Sequence, residues 1–473
     1  MPRQPATQGD QAPKTDRIPC NVDYTRRMTD TPASQPAPFD ANLPHHAKPK
    51  LRPVRGFPAK AGEQMVLGLA DARQISDKVV FTMPAAQLIL PMLDGNRSID
   101  EVVAAVGRGL TRPVVEQLVA QLDDAGLLFG PVFDALVVKM RHDFDSTPNL
   151  PPASTAALAE QLAVKELGES AAEAQKAEVG ATKLRELMDQ WVDKALEKVE
   201  NPSLSTLPKA ILAPHIDYPR GWLNYASVWG RLRVVDRPDR VVILGTNHFG
   251  EGTGVVGCDK GYVTPLGTCE VDGVLVGAMR KRLGDRLYQN RYDHEREHSI
   301  ELQIPWVQHI LGRDDAGNFC KVYGVLVHDP TVNAGESYDG NGVALDPFIE
   351  ALRESLEEAG GTTLVIASAD LSHVGPAFGD QQALAGEEGP AVEFRNKVFQ
   401  HDRDMLNLVR ENKPDELVSS MAWQQNPTRW CSVGCIVAAM KAVEPSTVEI
   451  VNYAAAMDEQ GMGMVSSAAG VMS

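Results

Sequence analysis

A chain of 473 residues with 43% hydrophobic content is long enough for two or three domains and a large core. Its formal net charge of −17 argues against a nucleic-acid or anionic-membrane partner, because an acidic surface repels phosphate. No run reaches the roughly 18 apolar residues of a membrane span, and the amino terminus lacks an apolar signal core, so a soluble, cytoplasmic protein is expected.

Residues 1–50 are rich in Pro, Gln, Thr and Asp without sustained periodicity, the composition of a disordered tail. Residues 51–135 read as a small α+β module. "DKVVFTM" is a strand, Asp94-Gly95 a turn, and Ser98 with Glu101 a capping box that opens an amphipathic helix. Thr111 can cap a second helix, with Pro113 in its first turn and Gly126 past its end, and "LLFGPVF" is expected to return as a strand. Two helices and a β return resemble winged-helix modules of the PqqD-like kind, which implies peptide binding. A structural domain that packs on its neighbour is the alternative, and no Lys/Arg stripe supports a DNA reader. Residues 136–205 form a helical linker, in which Leu184, Leu187, Met188, Trp191, Ala195 and Val199 recur at helical spacing and predict one docking face.

From 206 to 473 the pattern changes. "KAILAPH", "DRVVILGTNH", "FCKVYGVLVHD", "TTLVIASADLSH" and "VEIVNYAAA" are short apolar runs separated by helical stretches such as "DGVLVGAMRKRLG" and "PFIEALRESLEEAG". Such alternation predicts an α/β sheet covered on both faces. Open α/β sheets bind ligands at their carboxyl edge, and there these strands end in His215, His248, Asp370 and His373. Several imidazoles on one edge point to a metal or acid/base site. Six cysteines, Cys20, Cys258, Cys269, Cys320, Cys431 and Cys435, form no C-x-x-C pair and are expected mostly as buried free thiols.

"RYDHEREHSIELQIPW" contains H-E-x-x-H from His294 to His298, the spacing of a zinc protease. Its first half is polar with no apolar face, and Pro305 limits any helix that would carry the motif onward. The expectation is therefore that His294 and Glu295 lie on an exposed loop while His298 and Glu301 point inward.

With "APHIDYPRGW", "LGTNHFG", "YVTPLG", "EHSIELQIPW", "SADLSHVG", "VEIVNYAAA" and "VSSAAGV" in this order, the chain from 206 to 473 resembles the Memo family, known in bacteria as AmmeMemoRadiSam system protein B. That family is similar in fold to the class III extradiol dioxygenases, non-haem iron enzymes that open catechol rings. The resemblance implies a metal held by His215, His248 and Cys431, with Asp370, His373 and His298 lining the pocket. The cysteine lies in "RWCSVGCIVAAM", where Ser432 and Cys435 replace the glycine and proline usual in the family. Asp370 is the competing third ligand, completing the carboxylate triad of Fe(II) oxygenases. Fe(II) is the first expectation for the metal, with copper or zinc as alternatives, since a thiolate is a softer donor than a carboxylate. His373 would act as acid/base, held by Asp370 or His298, or the pair would only brace a ligand. Three functions follow: a dioxygenase-like oxidoreductase, a protein that binds a peptide or metal in the pocket, or an accessory factor beside a radical-SAM enzyme.

Overall fold

The structure, a computed structural model, describes residues 37–62 and 64–473. Most of the expected tail lies outside the described residues. Its last stretch is ordered: helix α1 (Pro44–Ala47) is a single turn, Phe39 stacks on His46 at 5.3 Å, and Lys50 bridges to Asp94.

The N-terminal module opens with an antiparallel sheet of β1 (Val54–Ala61), β2 (Gln64–Asp71) and β3 (Val79–Thr82). Helices α2 (Ile99–Val106) and α3 (Arg112–Asp124) cover it, burying Val102, Val115, Val119 and Leu122 against Leu69 and Val80. The capping box is present: Ser98 Oγ accepts the Glu101 N–H, and Glu101 Oε2 accepts the Ser98 N–H at 2.7 Å. Thr111 makes no side-chain cap bond, but Gly126 takes the left-handed φ of +65° that stops α3. "LLFGPVF" does not return as a strand. Leu128 makes one isolated bridge to Leu51, and Pro131, pre-set for a first helical turn, opens α4 (Pro131–Asp145).

After β4 (Asn149–Leu150), the linker folds into α5 (Ser154–Leu167) and α6 (Glu173–Leu196). The face of α6 that packs against the next domain runs through Leu184, Met188 and Val192, all fully buried, with Trp191 and Ala195 at its margin.

The C-terminal domain proceeds through β5 (Ala210–Ala213), α7 (Tyr218–Trp229), β6 (Arg240–Thr246), β7 (Val256–Gly257), β8 (Gly261–Thr264), β9 (Gly267–Cys269) and α8 (Gly273–Leu283). It continues with α9 (His298–Glu301), α10 (Ile304–Ile310), β10 (Lys321–Val327), α11 (Leu345–Ala359), β11 (Thr363–Ser368) and β12 (Asp370–Val374). Helices α12 (Pro390–Arg410), α13 (Pro414–Trp423) and α14 (Val433–Val443) precede the final hairpin of β13 (Val448–Met457) and β14 (Met464–Met472).

The main sheet runs β12-β14-β5-β11-β6-β10-β7, with β13 on the outer side of β14. Its centre, β5-β11-β6-β10, is parallel and the flanking strands are antiparallel. Ile211, Val241, Ile243 and Ile366 face α6, α7 and α10, while Leu212, Val242, Leu244 and Val365 face α8, α11 and α14. This two-sided burial is why the central strands are apolar throughout. "TTLVIASADLSH" splits at Ala369: β11 stays in the parallel centre, and β12 leaves it to pair antiparallel with β14. No helix among the described residues is long and apolar enough to cross a membrane.

Candidate metal centre

Two central strands deliver histidines to the carboxyl edge. Gln303, fully buried, donates from Nε2 to the Pro214 carbonyl at 2.6 Å and to Ser368 Oγ at 2.9 Å, pinning the ends of β5 and β11 together. His215 follows directly, its Nδ1 3.1 Å from the Ser368 carbonyl oxygen. A ring nitrogen facing a carbonyl must donate, so Nδ1 carries the proton and Nε2 keeps its lone pair. That Nε2 lies 3.3 Å from Cys431 Sγ.

His248 follows β6. Its Nδ1 lies 3.0 Å from Glu297 Oε1, and its N–H donates to Glu297 Oε2 at 2.8 Å, which again leaves Nε2 for a ligand. Cys431 arrives on the loop before α14. Gly434 lets α14 approach so closely that a Cβ there would collide with the His328 carbonyl oxygen after β10. Ligand atoms of His215, His248 and Cys431 all lie within 4.8 Å of one another. Two imidazoles oriented by acceptors on their far nitrogens, with a thiol between them, are a donor set that fits a divalent ion. Asp370 stands outside that convergent set. Cys435 is buried beneath it, with Sγ 3.5 Å from Thr246 Oγ1.

Glu297, absent from the sequence expectations, organises one wall. It is buried, touches His248 and His298 from the same Oε1 at 3.0 and 3.3 Å, and accepts the Ser299 N–H at 2.9 Å. Burial alone would raise its pKa, but the two imidazoles and the amide hold it well below the carboxylate range. Burial would lower His248, yet the Glu297 carboxylate and Cys431 push it well above an ordinary imidazole. Burial and the neighbouring His248 and His298 rings hold His215 well below. His298 closes the cluster, with ring centroids 5.5 Å from His215 and 4.8 Å from His248, and burial lowers its pKa.

The other two expected pocket residues are placed differently from one another. Asp370 accepts the His215 N–H on Oδ1 at 3.0 Å, and its Oδ2 lies 3.7 Å from His215 Nε2. It thus braces His215, and burial pushes its pKa up to about 7. His373, on β12, is held by neither Asp370 nor His298. Its Nδ1 meets the Leu371 carbonyl at 3.0 Å, its N–H donates to Thr428 O at 2.8 Å, and burial holds the ring at a pKa of about 4.

The H-E-x-x-H run divides in an unexpected way. His294 is not on an exposed loop: it is 2% exposed, with Nδ1 3.2 Å from the Tyr262 hydroxyl and Nε2 3.1 Å from the Val256 carbonyl. In the short 3-10 turn Arg291–Arg296 only Arg296 is exposed; Asp293 turns back to accept the Asn247 amide and the Gly252 N–H at 2.8 Å each, and His294 is the buried ring. Glu295 is half-buried. Glu301 does point inward, but to the linker. Its carboxylate accepts the N–H groups of Ala153, Ser154 and Thr155 at 2.8, 3.1 and 2.9 Å and the Thr155 hydroxyl at 2.6 Å, capping α5 from outside the helix.

The sequence profile of the family described as "Memo-like protein" matches residues 177–471, beginning within α6. The chain is 28% identical over 265 residues to a MEMO1 family protein of Methanopyrus kandleri, spanning 55% of this chain and 81% of that one. A MEMO1 family protein of Aquifex aeolicus is 25% identical over 386 residues, spanning 81% of this chain and 87% of its own. Another from the same organism is 34% identical over 179 residues, or 37% of this chain and 58% of its own.

Proposed function

The chain belongs to the Memo-like protein family, and on that premise we propose that it is a metal-dependent, dioxygenase-like oxidoreductase whose metal is held by His215, His248 and Cys431. One observation carries the proposal: these three donors converge, and both rings have their far nitrogens tied to acceptors, an economy of orientation that rim histidines do not need. Fe(II) is the ion proposed first, with copper and zinc as its rivals for a site containing sulfur. When bound, a redox-active ion supplies Lewis acidity and electron exchange. The protein's own groups do the rest. Glu297 fixes the His248 and His298 rings, and Asp370 fixes the backbone at His215. His298 and His373 are both lowered by burial, so they stand neutral at pH 7 and each can accept a hydrogen bond from the hydroxyl of a phenol-like substrate.

The test is metal analysis of protein purified anaerobically, followed by oxygen-uptake measurements with catechol as the probe. About one equivalent of a redox metal, and catechol-dependent oxygen uptake that His215→Ala abolishes, is the expected result. Stoichiometric zinc with no oxygen uptake after reconstitution with iron or copper would overturn the enzymatic reading in favour of an accessory, metal- or peptide-binding role.

A further inference from the structure

A second group of metal-ligating side chains lies in the N-terminal module. His45 and His46 occupy the single turn of α1, and both rings reach Asp123 near the end of α3. The two Nε2 atoms lie 3.3 and 3.1 Å from the same carboxylate oxygen, Oδ2. Ligand atoms of the three residues all fall within 4.8 Å of one another. The rings pack edge to face at 4.7 Å, and the side chains of His45, His46 and Asp123 are 13%, 3% and 14% exposed.

Two features set this group apart from an ordinary surface ion pair. The other Asp123 oxygen, Oδ1, is buried with no hydrogen-bond partner, and donation from both imidazoles to Oδ2 does nothing for it. Buried acceptors are seldom left that way. The two His–Asp spacings also suit an ion: a tetrahedral centre with bonds of about 2.0–2.1 Å to nitrogen and oxygen separates its ligands by roughly 3.3 Å. We infer that His45, His46 and Asp123 form a second divalent-cation site of the zinc class, with Nε2 of each ring and the Asp123 carboxylate as ligands. Two neutral imidazoles and one carboxylate leave a divalent ion with a single net positive charge, which a half-buried site in an acidic protein tolerates.

Loading this site has a local consequence. The Asp40 N–H donates to His46 Nδ1 at 3.0 Å, so the proton of the neutral His46 ring sits on Nε2 and is shared with Asp123. An ion at Nε2 displaces that proton, and the ring stays neutral by carrying one on Nδ1. The Asp40 amide must then turn away, so binding repositions the segment that leads into α1.

The test is zinc content per chain, after equilibrium dialysis of tag-free full-length protein, for the wild type, His45→Ala, Asp123→Ala, Cys431→Ser and the His45→Ala/Cys431→Ser double variant. His45→Ala and Asp123→Ala should each bind one zinc fewer than wild type, whereas Cys431→Ser keeps that zinc and loses it in the double variant. Cobalt bound by Cys431→Ser at this site should show no thiolate charge-transfer absorption. Equal zinc in wild type, His45→Ala and Asp123→Ala, with unchanged thermal transitions, would overturn the inference and leave a hydrogen-bonded His–Asp–His group. Failure of the first metal centre is separable, because wild type would then hold one zinc that His45→Ala removes.

Discussion

Asp402 Oδ1 accepts the indole N–H of Trp430 at 2.7 Å, one residue before Cys431. The same fully buried carboxylate accepts the hydroxyls of Ser372, Tyr453 and Ser466 at 2.5, 2.6 and 2.5 Å. Ser372 lies between Asp370 and His373, so one anion compensated by four donors ties β12 to the cysteine loop. Asp402→Asn puts an amide N–H among those donors and should loosen the loop. Metal affinity is expected to fall ~10–100-fold, as for other groups that orient ligands. Isothermal titration below the unfolding transition checks this, and unchanged affinity would show that Asp402 serves stability alone.

Glu297 receives donors on both oxygens, from the His248 ring and Ser299 N–H on one and the His248 N–H on the other. Glu297→Gln cannot satisfy them all, because one oxygen becomes an amide donor. The His248 ring should lose its fixed orientation, and metal affinity should drop by ~10-fold or more. Titration of the apo-protein with zinc would reveal it.

Glu301→Ala should act on stability and leave the metal centre alone. It strips the partner from three backbone N–H groups at the start of α5 and from the Thr155 hydroxyl. Several buried donors lose one shared anion, so a cost of about 2–4 kcal/mol is expected by urea unfolding. Metal content per chain should stay at the wild-type value.

These contrasts mark what the sequence could and could not disclose. His215, His248 and Asp370 were legible because apolar strands end just before them, and strand ends in such sheets meet at one edge. Glu297 was not, although it directly precedes His298: it enters the site by the path of an irregular segment, which no periodicity records. Glu301 points inward as its turn shared with His298 implied, yet a short helix leaves its two sides facing different neighbours, and its carboxylate serves α5. The strand β1 was hidden by Gly56 and Pro58, residues that argue against a strand. It is an edge strand, where the missing proline N–H costs no ladder bond.

His294 carries a pH prediction. Burial holds its ring at a pKa of about 4, below the unfolded value of 6.5, so the folded state excludes a proton that the unfolded chain accepts. Stability from this residue is complete above pH 6.5 and drains away as pH falls toward 4. Near pH 5 the loss is about 2 kcal/mol, from roughly 1.4 kcal/mol per pH unit. His294→Asn should be less stable than wild type at pH 7 and show a smaller further loss between pH 7 and 5, with metal content unchanged. Urea midpoints at the two pH values decide it; parallel losses in both proteins would locate the acid sensitivity elsewhere.

The two cysteines of the α14 loop should separate cleanly. Cys431 Sγ lies 3.3 Å from His215 Nε2 and within the convergent donor set. Cys435 is fully buried behind it, and burial raises its thiol well above the usual range. A thiol that resists ionisation, meets Thr246 Oγ1 and stands outside the convergent donor set is packing, so Cys435→Ser should cost stability and leave metal affinity near wild type. Cys431→Ser exchanges a soft anionic donor for a neutral hydroxyl, and affinity for a zinc-class or copper ion should fall by ~100-fold or more. Cobalt substitution adds a direct readout, since thiolate-to-cobalt absorption should be present in Cys435→Ser and absent in Cys431→Ser. The reverse pattern would assign the sulfur ligand to Cys435, and cobalt bound without thiolate absorption by His45→Ala protein, in which the His215–His248 centre is the site tested, would move the third ligand to Asp370.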